Sequence, residues 1–194
     1  MSSESRTVHP DRPRGREAVR AALVAAADEL FGERGPDRVS VREVAERANV
    51  NHALLHRHFG SKDQLLYEVL AGHAANFRMA LEDAADGGSG QVRMFDSMLS
   101  TPAFVRIMAH MQLSGAKMSD WVVPNGGLAR LLELMHSGSD RRDRLLAAAM
   151  TALSMGWVLF EDFLLPASSF SDTSEAAREE IRTLMGELLS QLDG

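Results

Sequence analysis

Apolar residues at Val19, Leu23, Ala26, Ala27 and Leu30 recur at the spacing of one helix face, which predicts a helix from Arg16 to the breaker pair Gly35-Pro36. Ser40 followed three residues on by Glu43 is a capping-box spacing, in which the hydroxyl accepts a backbone N–H and the carboxylate reaches back to the chain. It predicts a short helix over 41–47. Asn49-Val50-Asn51 interrupts, and a second short helix is expected over 52–58. Ser61 and Gln64 repeat the capping spacing and open a longer helix toward residue 85. Within 52–59, Leu55 and Phe59 lie four apart and are expected to turn inward with Val50. His52, His56 and Arg57 are left on other faces.

The run Asp86-Gly-Gly-Ser-Gly90 predicts a flexible joint. Beyond it, helical periodicity covers 91–100, 102–116, 128–136, 140–165 and 174–192, with Pro102 placed for a first turn and Pro166 for a stop. No useful alternating strand and no internal repeat interrupts this pattern. The expected fold class is all-α, with an N-terminal three-helix helix-turn-helix head joined to a helical body. Residues 1–15 are polar and broken by Pro and Gly, so they are expected to form a disordered basic tail carrying Arg14. The head is assigned to 16–62 and the body to 63–194.

Composition narrows the chemistry. A chain of 194 residues buries about 70% of its unfolded surface and needs no covalent staple. The absence of cysteine excludes disulfides, thiolate metal sites and cysteine nucleophiles. No uninterrupted apolar run reaches the length of a membrane span and no signal core opens the chain, so the expectation is a cytoplasmic protein without membrane contact. Residues 1–62 hold 11 Lys+Arg and 9 Asp+Glu, net +2, whereas residues 63–194 hold 10 and 18, net −8. A basic head on an acidic body permits a polyanionic partner for the head. His52 and His56 have the spacing of a metal pair but lack a third ligand nearby, so neither a metal nor a cofactor is expected. Gly-x-Ser-x-Gly, Walker A and His-Glu-x-x-His runs are absent, and no enzymatic activity is expected.

The run Val39-Ser-Val-Arg-Glu-Val-Ala-Glu-Arg-Ala48, continued by Asn-Val-Asn-His-Ala-Leu-Leu-His-Arg-His-Phe-Gly-Ser-Lys-Asp-Gln-Leu65, resembles the DNA-binding head of the tetracycline-repressor (TetR) family of transcriptional regulators. The resemblance spans roughly residues 16–66. Four positions depart from the family pattern: Asn49 and Asn51 stand where Gly and Ser are usual before the recognition helix, His56 where a Tyr is usual, and Leu54 where a small residue is usual. The resemblance implies phosphate contacts by Ser40, Arg57 and Lys62, and base-edge contacts by His52, Ala53, Leu54 and His56, with Asn51 at the start of the recognition helix. Ser40 and Lys62 also lie at helix N-termini, which favour phosphate. An outward Leu54 lacks a core partner and suits a thymine methyl. Arg14 is positioned for the minor groove, as basic arms are. Phosphate attracts imidazolium, so binding through His52 and His56 is expected to strengthen as pH falls.

The body carries Met94, Met98, Met108, Met111, Met118, Met135, Met150 and Met155, thioether side chains suited to an adaptable apolar cavity or to ordinary core. Phe104, Met108, Met111, Trp121 and Trp157 are the candidate contacts for a small apolar effector. The long 140–165 segment is apolar around most of its circumference, and Ile181, Leu184 and Leu188 form a stripe on the last helix. With Leu153 and Leu159 they are the candidate interface of a homodimer, as the resemblance implies. The expected function is a ligand-responsive regulator, a repressor bound to a pseudo-palindromic double-stranded DNA operator and released by the effector. The rivals are a helical protein-interaction module and a small helical enzyme; the first leaves the polar recognition face unexplained.

Overall fold

The computed structural model describes residues 13–135 and 141–192; residues 1–12 of the tail expected over 1–15 lie outside the described residues, as do the expected helix ends at 136 and 140. The described chain is helical and contains no strand: α1 (Arg16–Arg34), α2 (Val41–Arg47), α3 (His52–Phe59), α4 (Lys62–Ala80), α5 (Gly87–Ser100), α6 (Pro102–Leu113), α7 (Gly127–Leu134), α8 (Arg141–Ala167) and α9 (Ser174–Leu192). Short 3₁₀ turns at Pro36–Arg38 and Met118–Trp121 join α1 to α2 and α6 to α7.

The predicted caps form. Ser40 accepts the Glu43 N–H while Glu43 accepts the Ser40 N–H at 2.8 Å, closing both halves of the box. Ser61 accepts the Gln64 N–H at 3.1 Å. Between α2 and α3 the turn passes through Asn49, whose φ of 53° is a left-handed conformation that Asn tolerates better than most residues. Asn51 then caps α3 by accepting the Ala53 N–H at 2.9 Å. Two expected helices are shorter than their apolar pattern suggests: α4 stops at Ala80 and α6 at Leu113.

The expected joint at 86–90 is instead the start of α5. Asp86 caps the helix by accepting the Ser89 N–H at 2.8 Å, and Ser89 caps back onto the Asp86 N–H. Its glycines serve close packing rather than freedom. A Cβ on Gly90 would lie 2.9 Å from a methyl of Leu134 and 3.1 Å from one of Leu131, so only a bare backbone lets α5 approach α7 this closely.

The packing organises into three clusters. The first joins Val19, Leu23, Leu30 and Phe31 of α1 with Val44 and Leu55 of the turn motif, and continues into Leu65, Val69 and Leu70 of α4 and Ile107 and Met111 of α6. The head's core therefore does not end at Lys62; it takes in the first half of α4 and one face of α6. A second cluster gathers Phe77, Leu81, Met94, Met98, Val105 and Leu131, and a third Phe95, Met150 and Met185. α8 is 27 residues long and includes an 18-residue window of mean hydropathy 1.4, enough by length and composition to cross a membrane. Counting uninterrupted apolar runs overlooked it because Thr151, Ser154, Gly156 and the Glu161-Asp162 pair divide the run.

Candidate nucleic-acid interface and adjoining cavity

The turn motif sorts the residues of α3 as their spacing predicts. Leu55 is fully buried and Phe59 nearly so, while Asn51, His52, Ala53, His56 and Arg57 are exposed. His56 Nδ1 lies 3.1 Å from the Gly60 carbonyl. As a donor there, the ring fixes its proton on Nδ1 and leaves Nε2 free as an acceptor. Arg57 has no ion pair among the described residues. With Arg16 and His58 it borders an open groove of about 440 Å³ between the start of α1 and α3, close to Gly15. Arg14, one residue before that groove, is exposed.

Three of the expected nucleic-acid contacts stand differently from their sequence reading. Leu54 is half-buried, packs against the head core and borders the same groove as Val19, so it has the core partner it was expected to lack. The Lys62 ammonium donates to the carbonyl oxygens of Pro36 at 2.9 Å and Val39 at 3.2 Å. It is half-buried and bolts α4 to the 3₁₀ turn, a use that neither a phosphate contact nor a solvated charge describes. The Ser40 hydroxyl is engaged with Glu43, accepting its N–H and donating to its carboxylate at 2.7 Å. The Ser40 N–H, the Ser40 hydroxyl and Arg34 together lower the Glu43 carboxyl from 4.5 to about 2.

Beside the head lies a cavity of about 250 Å³. Leu70, Ala74 and Phe77 of α4 form part of its wall, facing Phe104 and Met108 of α6. Met94 and Met98 of α5 and Thr151 and Met155 of α8 complete the helical lining, and Trp121, Val123 and neighbours in the 121–128 segment close it. The rings of Phe77 and Phe104 meet edge-on at 4.9 Å. Phe104 also lies 5.5 Å from the buried ring of His73, whose Nε2 is 2.7 Å from Asp28 on α1. A Cβ on Gly127 would fall 2.5 Å from Phe77 and 2.7 Å from Met94, so this glycine keeps the wall open.

Of the five residues expected around an effector, the cavity brings together Phe104, Met108 and Trp121 and excludes two. Met111 is buried in the head core, and Trp157 packs with Leu99, Leu146 and Ile181 around the third cluster. Ile107 and Met111 of α6 are buried in the head core, while Phe104 and Met108, half-buried and packed against the edge of that same core, also line the cavity. Four of the eight singled-out methionines, Met94, Met98, Met108 and Met155, line it.

Residues 23–69 match the model of the family described as bacterial regulatory proteins, tetR family. Over 194 residues the chain is 31% identical to the HTH-type transcriptional repressor Rv3405c of Mycobacterium tuberculosis, covering 99% of this chain and 98% of that protein. The chain belongs to the tetR family of bacterial regulatory proteins. It is a DNA-binding transcriptional regulator of the helix-turn-helix type. Over 57 residues it is 49% identical to the regulator BetI of Rhizobium meliloti, 29% of this chain and 28% of that one. Among solved structures, the SCO4942 protein of Streptomyces coelicolor superposes with a TM-score of 0.69 at 21% identity, covering 90% of this chain and 97% of that one.

In this tetR-family chain the cavity wall contributed by α4 escaped sequence reasoning because Leu70, Ala74 and Phe77 look like the continuation of an ordinary core stripe. Thr151 left a fainter signal, a lone hydroxyl in the apolar stretch Ala147–Leu153. Of the expected dimer residues, Leu153, Leu159, Leu184 and Leu188 are exposed, as are Phe160, Phe163 and Leu164 beside them. Ile181 instead packs partly against the third cluster within its own chain.

Proposed function

We propose that this regulator is a homodimeric repressor that binds a pseudo-palindromic operator through α3 and is released when a small apolar effector enters the cavity. The observation that carries this reading is that two helices serve both sites. α4 begins against the turn that leads into α2 and ends in the cavity wall; α6 gives Ile107 and Met111 to the head core and Phe104 and Met108 to the cavity. A molecule displacing Phe77 or Phe104 pushes on elements that also hold α1 and α3. An effector that favours the displaced state with a coupling of about 1–3 kcal/mol lowers operator affinity roughly 5–150-fold.

On this reading Arg57 and Arg14 contact phosphate or the minor groove, and His52, Ala53 and His56 face base edges, with Asn51 and Ser40 at the helix starts. Leu54 offers only its outer edge to a thymine methyl, and Lys62 acts by positioning α4. The exposed leucines and phenylalanines of α8 and α9 pair with those of a second copy, which also accounts for the apolar length of α8 without a membrane. The similarity to the transcriptional repressor Rv3405c supports repression as the sense of regulation. A chain of this family works on DNA in the cytoplasm.

Footprinting on genomic DNA, with binding measured at several salt concentrations, tests the reading. It expects protection of two related half-sites about 34–36 Å apart and an affinity that falls steeply with salt. Protection of one isolated half-site by a monomer overturns the dimeric part, and a salt-independent affinity overturns phosphate recognition by α3.

A further inference from the structure

The chemistry of the cavity lining restricts what can occupy it. Its residues include no charged side chain, and the walls are the carbon and sulfur surfaces of Phe77, Phe104, Met108, Trp121 and Met155. An ion placed there would lose its hydration with no counter-charge to replace it. Two polar side-chain groups belong to the lining, the Trp121 indole N–H, which can only donate, and the Thr151 hydroxyl. Thr151 belongs to α8, where a helical Thr hydroxyl ordinarily bonds back to the carbonyl of the preceding turn. Its Oγ1 is buried without a hydrogen-bond partner among the described residues, and a turn about χ1, between the two rotamers a helical Thr adopts, would present it to the cavity that Thr151 lines. A hydroxyl can both donate and accept, and a buried one left unpaired is costly. At about 250 Å³ the space holds roughly eight water-sized groups of ~30 Å³ each.

We propose that the cavity selects a neutral, mostly apolar molecule of roughly eight to ten heavy atoms carrying a single hydrogen-bonding oxygen, and that Thr151 is the residue that reads this oxygen. The proposal rests on the effector reading and adds the ligand's chemical class. The edge-on pair of Phe77 and Phe104, with Trp121, favours a flat ring as the apolar part. Carboxylates, ammonium compounds and phosphorylated molecules are rejected by the uncharged wall.

The test uses the full chain carrying Trp157→Phe, which leaves Trp121 as the sole tryptophan and places the reporter in the cavity wall. Four probes share one ring and differ in their polar group: acetophenone, ethylbenzene, benzoate and benzylammonium. Saturable change in Trp121 emission, paralleled by a rise in melting temperature, is expected for the two neutral probes. The charged pair should bind at least about tenfold more weakly. Thr151→Val, which replaces the hydroxyl by a methyl of similar size, should weaken acetophenone about fivefold and leave ethylbenzene unchanged, whereas Thr151→Ser should restore acetophenone. Charged probes binding as tightly as neutral ones, or Thr151→Val leaving the acetophenone-to-ethylbenzene ratio unchanged, overturns the ligand class while the effector cavity stands. If all four fail to bind, the cavity is closed to ligands of its own size, and the effector reading falls with the proposal.

Discussion

The head and the body are built from the same helical material but filled differently. In the head, the first core cluster buries Leu23, Phe31, Val44 and Leu55 completely between α1, α2 and α3, and polar bolts secure its edges: the Ser40–Glu43 box, the Lys62 ammonium on two carbonyls, and Arg20 paired with Glu68 while lying 5.4 Å over the ring of Phe59. In the body, α4, α5, α6 and α8 leave about 250 Å³ between them, lined by four methionines, and α8 turns Leu153, Phe160 and Phe163 outward. A surface that must present side chains at fixed spacing to a duplex gains from rigidity. A cavity that must respond to an occupant gains from side chains with many rotamers and from walls that can move.

The sharpest way to break this comparison is to remove bulk from each half. Leu55→Ala, at a fully buried site, should cost about 3–5 kcal/mol in urea unfolding at fixed protein concentration. Met108→Ala, half-buried at the edge of existing space, should cost about 1 kcal/mol. Equal losses would mean that the head is no more tightly filled than the body.

The next effect separates the two cations of the recognition region. Arg57→Ala should weaken binding to every duplex and flatten the dependence of affinity on salt by about one unit per subunit. Lys62→Ala should leave that slope at its wild-type value and lower stability by about 1–3 kcal/mol, since it strips the carbonyls of Pro36 and Val39 of their donor. A flattened slope in the Lys62 variant would return that ammonium to the DNA surface.

Replacing either methionine of α6 by a larger residue sharpens the boundary between the halves. Met108→Trp fills the cavity and should abolish acetophenone binding while operator affinity of the unliganded protein is retained. Met111→Trp overfills the head core and should lower stability by about 1–3 kcal/mol with the cavity still open to the probe. Identical behaviour of the two variants in probe titrations would refute the assignment of Met108 to the cavity wall and Met111 to the core.

The smallest expected effect concerns the cap of α2. The Glu43 carboxyl is held at about 2, below its ordinary 4.5, so its contribution to stability is fully present above about 4.5 and is lost as pH falls toward 2. Glu43→Gln should therefore melt slightly below wild type at neutral pH, and the two melting curves should converge as pH is lowered through this range. A difference that persists at pH 2 would assign the effect to side-chain shape instead of charge.

Nearly all of the head was legible in the order of residues. The caps at Ser40 and Ser61, the inward pair Leu55 and Phe59 and the exposed His52, His56 and Arg57 follow from relations spanning four residues or fewer. Misreadings began where a local signal had two physical uses. Glycines at 87 and 90 indicate freedom when read alone, yet Gly90 is present because Leu131 and Leu134 of α7 press against it. Lys62 resembles a phosphate ligand at a helix start until the carbonyl of Pro36, 26 positions earlier, is seen to accept a hydrogen bond from its ammonium.

The sequence by itself determined the helices, their order, the turn motif and the family, because periodicity, capping and breakers act between near neighbours along the chain. Only the tertiary structure decided which methionines line a cavity and which fill a core, that α6 borders the head core and the cavity at once, and that Thr151 stands unpaired among apolar walls. Those outcomes depend on helix pairs brought together from distant parts of the chain. An apolar side chain gains about the same free energy against any apolar neighbour, so its identity does not say which neighbour it meets.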